Sequence, residues 1–142
     1  MGDSTVKDPW FKKTGLTLKD WGFNLLEQSE PDPKHFGNWI IMGVRNNLAL
    51  RVIRDRGGVN FDLMPAALFK PGASESDWYN WDVVARLGIL QKSGIEPLVL
   101  FHDHLEELNR AFAPENWERT RGLLAYFEDE KRRRFTDRKV PA

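Results

Sequence analysis

The chain has 142 residues, with 21 Lys+Arg against 21 Asp+Glu and no Cys. That length suits a single domain, 1–142, which can bury about 70% of its unfolded surface without a metal or disulfide staple. The missing cysteines exclude a disulfide scaffold, a cysteine zinc site, a thiol nucleophile and an iron–sulfur cluster, and zero net charge gives no general pull toward nucleic acid or an anionic membrane.

The opening Met1-Gly-Asp-Ser-Thr-Val-Lys-Asp-Pro9 has no apolar stretch of the kind a secretory leader carries. Val6 stands where a myristoylation signal has Ser or Thr. Residues 1–21 read as a lead-in, with 1–15 expected to fray. Asp8 can cap a short helix with Pro9 at its first position, and Leu18 and Trp21 lead to Gly22, a plausible helix end. Phe23–Gln28 fits either an edge strand or a continuation of that helix. The run Glu30-Pro-Asp-Pro-Lys-His35 then reads as a loop.

Asn38–Met64 is the most regular stretch. Three β-rich runs, near 38–45, 48–55 and 59–64, are separated by Asn46-Asn47 and by Asp55-Arg56-Gly57-Gly58. Gly57-Gly58 can supply the positive φ of a tight hairpin, and Asn46-Asn47 tolerates it. Leu48, Leu50 and Val52 alternate with Ala49, Arg51 and Ile53, while Val59, Phe61 and Leu63 alternate with Asn60 and Asp62. Period two with one polar side predicts an antiparallel meander covered by helices on one face.

Pro65, Pro71 and Gly72 mark the next loop, and Ser74 or Ser76 is a candidate N-cap for a helix over 77–87, closed by Gly88. From Pro97, Leu98, Phe101, Leu105, Leu108 and Phe112 recur at steps of three and four, predicting an amphipathic helix over 97–112. Pro114 opens a last helix, over 115–134, that turns Trp117, Leu124 and Phe127 inward with Leu123 beside them. Its early Glu115 and Glu118 and late Lys131–Arg134 match the helix dipole, and the tail 137–142 is expected to fray. The fold class is therefore α+β: a three- or four-stranded antiparallel meander packed against two or three helices, with a helical C-terminal half. The six Trp are expected mostly in the core. No apolar run reaches about 18 residues, so no membrane span is predicted and the expected location is the cytoplasm.

His102-Asp103-His104 is the sharpest catalytic pattern. On a strand it would set two imidazoles on one side, as metal hydrolases do, with Glu106 or Glu107 nearby. On the predicted helix, residues two apart diverge by about 200° and cannot share a metal. The remaining histidine, His35, lies in a distant loop. No Gly-x-Ser-x-Gly, Gly-x-Gly-x-x-Gly or Walker sequence occurs, so no catalytic residue and no cofactor are assigned. Asp55 and Asp62 flank the Gly57-Gly58 hairpin; with Arg54 or Arg56 they form either a polar site or a cross-strand ladder of ion pairs. Lys131–Arg134 with Arg138 and Lys139 is a basic cluster for nucleic acid, yet Glu128, Asp129, Glu130 and Asp137 are mixed into it, as on a solvated helix end. Trp78, Tyr79 and Trp81 cannot all face one stripe of a helix, so at least one is either an exposed interface anchor or a cover lying under the Pro71 loop.

The order Gly22-Phe23, Phe36-Gly37-Asn38-Trp39, Leu48–Arg54, Asp55-Arg56-Gly57-Gly58 and Trp81–Gly88 resembles that of small bacterial α+β proteins of the polymorphic-toxin immunity type, over residues 18–88. The resemblance implies a non-catalytic protein-binding domain that neutralises a cognate bacterial toxin by direct contact, and brings no catalytic motif with it. The candidate contacts are Arg54, Asp55, Arg56, Asp62, Trp78 and Tyr79. Two alternatives stand beside it: a metal-dependent hydrolase using His102 and His104, and nucleic-acid binding through 131–139.

Overall fold

The computed structural model describes residues 9–32, 34, 38–56, 58–69, 77–88 and 96–139. Helix α1 (Pro9–Asp20) starts on its proline; Asp8, its expected cap, lies outside the described residues. The helix ends by a Schellman closure. Gly22 takes φ +90°, its N–H donates to Lys19 O, and the Phe23 N–H reaches back to Leu18 O, both at 3.0 Å. Leu18 and Phe23, which flank that closure, are both in the core. Residues 9–15, expected to fray, are thus the first turns of a packed helix. Phe11 sets its ring edge-on to Trp39 at 5.5 Å.

Five antiparallel strands follow in simple meander order: β1 (Asn24–Asp32), β2 (Asn38–Arg45), β3 (Leu48–Asp55), β4 (Gly58–Pro65) and β5 (Tyr79–Asn80). The three central strands fall where the alternation predicts them. The edge strands are the additions. β1 resolves Phe23–Gln28 as strand rather than helix, and its register slips between Leu25 and Glu27 and again between Ser29 and Asp32, so its alternation is broken. β5 has only two residues, which pair with Asp62 and Leu63.

Both central hairpins turn through two residues. Arg45 pairs with Leu48, and Asp55 with Gly58. Arg56 takes positive φ, at 53°, matching Asn46 at 54°. Gly58 is already a strand residue opposite Asp55, and Gly57 lies outside the described residues. Left-handed backbone costs a non-glycine residue about 1–2 kcal/mol. Asn38 offsets part of that cost: its Oδ1 accepts from the Arg56 N–H at 2.8 Å, and its Nδ2 donates to Asp55 at 3.2 Å.

One face of the sheet presents Trp39, Ile41, Leu50, Val52, Phe61 and Leu63 to the helices. These are α1, α2 (Trp81–Val84) with a 3-10 turn at Ala85–Leu87, α3 (Pro97–Asp103), α4 (Leu105–Ala111) and α5 (Pro114–Lys139). Phe61 centres this core, stacked on Trp81 at 5.1 Å and edge-on to Phe101 at 5.7 Å. The helix predicted over 97–112 is two helices, because the chain breaks at His104 (φ −115°, ψ 21°); its apolar stripe nonetheless stays buried on both sides of the break. Asn109 of α4 pins the first hairpin: its Oδ1 accepts from the Asn47 N–H at 2.8 Å, and its carbonyl accepts from Asn47 Nδ2 at 3.2 Å. Helix α5 extends past Arg134 to Lys139, taking in the start of the tail expected to fray.

The helix predicted over 77–87 begins only at Trp81. Ser74 and Ser76 lie outside the described residues, and the observed cap is Asn80, whose Oδ1 accepts from the Asp82 N–H at 3.1 Å. Trp78 and Tyr79 are therefore extended, and their side chains go to opposite faces of the sheet. All three crowded aromatics are buried as a result, Trp78 and Tyr79 at 8% exposure and Trp81 at 4%. Tyr79 joins the helix-side core, while Trp78 closes a second small cluster with Ala49 and Met64 on the far face. The face that reads as polar is therefore partly covered.

Candidate functional site

Helix α1, the β3–β4 hairpin and the start of α3 enclose a cavity of about 420 Å³. Its first wall follows from helical spacing. Trp10, Lys13, Thr14, Thr17, Leu18 and Trp21 line it, and steps of three and four put such residues on one stripe. Gly15, beside that stripe, faces the sheet; a Cβ there would stand 3.8–3.9 Å from Gln28, Ile41 and Leu25, in ordinary contact. Arg54 and Val59 form the second wall; they pair directly across β3 and β4 and so share a face. Glu96, Leu98 and Val99 form the third.

The rim is apolar and open to solvent. Trp10 is 52% exposed, Val59 47% and Val99 43%. Lys13 Nζ stands 4.9 Å from the Trp10 ring centroid, so cation–π contact holds the indole in place. The floor is Leu18, fully buried, with half-buried Trp21. Lys13 and Arg54 supply positive charge against Glu96. An aliphatic or aromatic group would lose water here without losing hydrogen bonds, and a carboxylate beside it would meet Lys13 or Arg54.

Of the six sequence-predicted contacts, the structure gathers three at this end of the sheet. Arg54 lines the cavity, and Asp55 and the exposed Arg56 follow at the hairpin tip. Asp62 belongs elsewhere. It sits opposite Arg51 on β3, four positions along the strands from the Asp55 end, about 14 Å away. Its Oδ2 accepts from Arg51 Nη2 at 2.8 Å and Nε at 3.2 Å, and its Oδ1 accepts from Asn80 Nδ2 at 3.2 Å. The Arg51 guanidinium also lies 4.6 Å from the Trp78 ring centroid. Asp55 and Asp62 thus make no joint polar site, and the cross-strand ion pair is the arrangement found. Trp78 and Tyr79 have little surface left to offer a partner. Burial raises the Tyr79 pKa above its ordinary value, with Glu128 adding to the effect.

His102 and His104 are each engaged locally. The His102 ring stacks on Trp21 at 4.3 Å with an interplanar angle of 18°. His104 Nδ1 is 2.8 Å from Leu100 O, a carbonyl that can only accept, so this nitrogen carries the proton. Among the described residues no three His, Cys, Asp or Glu side chains are grouped to hold a metal ion; His35 lies outside them. In the basic segment, Lys131 is 3.5 Å from Asp82, Arg133 3.0 Å from Asp129 and Arg134 3.0 Å from Glu130. Lys131, Arg132 and Arg134 also line a groove of about 640 Å³ with Arg86 and Glu128. The side chains of Arg138 and Lys139 lie outside the described ones.

Sequence reasoning missed Trp10, Lys13, Val59 and Val99. The Trp10–Trp21 spacing carried the signal for the first wall, masked by reading residues 1–21 as a lead-in. Nothing in the local sequence of Val59 or Val99 marks them, since their exposure depends on elements that meet only in the folded chain. No helix is long and apolar enough to cross a membrane among the described residues. No protein family matches this chain, and no curated protein or solved structure is significantly similar to it.

Proposed function

We propose that the chain is a non-catalytic protein-binding domain, and that it neutralises a bacterial toxin by receiving part of it in the cavity between α1, the β3–β4 hairpin and α3. The observation that carries the reading is the exposed Trp10 indole over an apolar floor, beside exposed Val59 and Val99. Aromatic anchors in pockets that exclude water supply most of the energy of protein interfaces. Lys13 and Arg54, with Arg56 at the tip, select a partner whose apolar group is flanked by carboxylates, and such charges speed encounter as well as selecting the partner. Asp55 serves here by shaping the tip through Asn38. That the partner is a toxin rests on the resemblance of residues 18–88 to immunity proteins, and a cytoplasmic complex is part of the same proposal.

The test is co-expression with the products of the genes that flank this chain's own, scored by growth, together with calorimetric titration against any flanking product that proves toxic; a neighbourhood without one would overturn the toxin reading. The wild type is expected to restore growth. Trp10→Ala and Arg54→Glu are each expected to weaken binding by about thirtyfold, the size of an interface hot spot, in proteins whose circular dichroism matches the wild type's. Absence of a complex, or variants that bind like the wild type, would overturn the proposal.

A further inference from the structure

Helix α5 has a second face that the fold leaves uncovered. Leu124 and Thr120 point into the core, whereas Leu123 is 44% and Tyr126 62% exposed. Glu115, Arg119, Gly122, Arg133 and half-buried Glu130 lie on the same side as these two, at steps of three and four. A Cβ placed on Gly122 would meet no atom of another element within 4 Å, so this side is open along its middle turns.

The order of groups on this face is self-complementary. A two-fold axis between Leu124 and Ala125 sets Leu123 against Tyr126, Arg119 against Glu130 and Glu115 against Arg134. In these three pairs each residue meets its opposite in charge, or its like in apolarity, on an antiparallel copy. That is the condition for an isologous dimer, in which one patch must fit itself. The acidic first turns of each helix also lie along the basic last turns of the other, in the sense that the two helix dipoles favour. At a crossing of about 20°, two such helices stay in contact over the roughly 28 Å between positions 115 and 134, and Gly122 leaves room for the incoming Tyr126. The present Arg134–Glu130 pair joins an exposed guanidinium to a half-buried carboxylate along one helix, an ion-pair class of small net worth, so its members can exchange across the axis.

We propose that two copies of this chain associate through antiparallel pairing of their α5 helices about Leu123 and Tyr126, leaving the α1–hairpin–α3 cavity of each copy open. Sedimentation equilibrium of the full chain, carried up to about 1 mM where weak contacts register, is expected to show a reversible monomer–dimer equilibrium. Arg119→Glu and Glu130→Arg should each weaken it by about tenfold, because the two-fold axis repeats every disturbed pair twice. The double exchange Arg119→Glu with Glu130→Arg should restore it to within about twofold, since it re-forms both pairs with their signs reversed. Tyr126→Ser should weaken the dimer independently of charge. A wild type that stays monomeric throughout overturns the proposal. A double exchange no better than either single variant overturns the antiparallel register. Circular dichroism identical to the wild type keeps folding out of the comparison.

Discussion

Replacing Asp62 with alanine tests what holds the far face of the sheet together. The Arg51 and Asp62 side chains retain only 10% and 13% exposure, joined at 2.8 Å. Removing one partner of a buried pair costs about 3–5 kcal/mol, because the other charge stays desolvated. Here the guanidinium keeps its contact with the Trp78 ring, worth about 1 kcal/mol. We therefore expect Asp62→Ala to cost about 2–3 kcal/mol, part of it from the lost Asn80 bond that anchors β5 and the start of α2. The double variant Arg51→Met with Asp62→Leu removes both charges and lays apolar stems against Ala49, Met64 and Trp78. It should fall within about 1 kcal/mol of the wild type, as exchanges of buried pairs for packed apolar residues do. Urea unfolding of the wild type, Arg51→Met, Asp62→Leu and the double variant, followed by circular dichroism and tryptophan fluorescence with coincident transitions, gives the four corners of the cycle. A cost below about 0.5 kcal/mol for Asp62→Ala would place the pair with exposed surface ion pairs. A double variant as unstable as the sum of the singles would show that no coupling exists. Either result refutes the reasoning.

Three further outcomes are expected. Tyr79 holds its proton more tightly folded than unfolded, so its contribution is present below pH about 10 and is lost as pH rises through the folded pKa; Tyr79→Phe should flatten the alkaline arm of a stability-versus-pH curve. Gly22→Ala should cost about 1–2 kcal/mol in a thermal melt, since φ is +90° and the added Cβ would lie 3.1 Å from Arg45 Nε. Leu124→Ala should lower chemical stability by about 3 kcal/mol, as the side chain is fully buried, whereas Leu123→Ala, one residue away, should change it by less than about 0.5 kcal/mol.

The meander was legible because three neighbouring strands share short loops, and local alternation, turn residues and register all agree there. Of the edge strands, the first was legible only as one of two readings and the last not at all. β1 breaks its alternation with register slips, and β5 is too short for any period and exists only because β4 offers a free edge to Tyr79 and Asn80. The same pairing undid the helical reading of Trp78, Tyr79 and Trp81, since two extended residues send their side chains to opposite faces. His104 shows the converse. The apolar spacing from Phe101 to Phe112 stays buried across the break, so burial was readable from the sequence although helix continuity was not.

Local pattern along the chain is enough to set the α+β class, the hairpin positions, the inward stripe of Trp117, Leu124 and Phe127, and the acid-to-base order of α5. Those features depend on neighbours within a turn or two of chain, where backbone geometry dictates which side chains share a face. That Arg54 lines a cavity while Asp62 is committed to Arg51, and that Trp10 stays exposed while Trp78 is buried, follows from assembly of the elements. Those outcomes depend on which distant element arrives on each face, and solvent exposure is a property of that meeting rather than of any residue's own sequence.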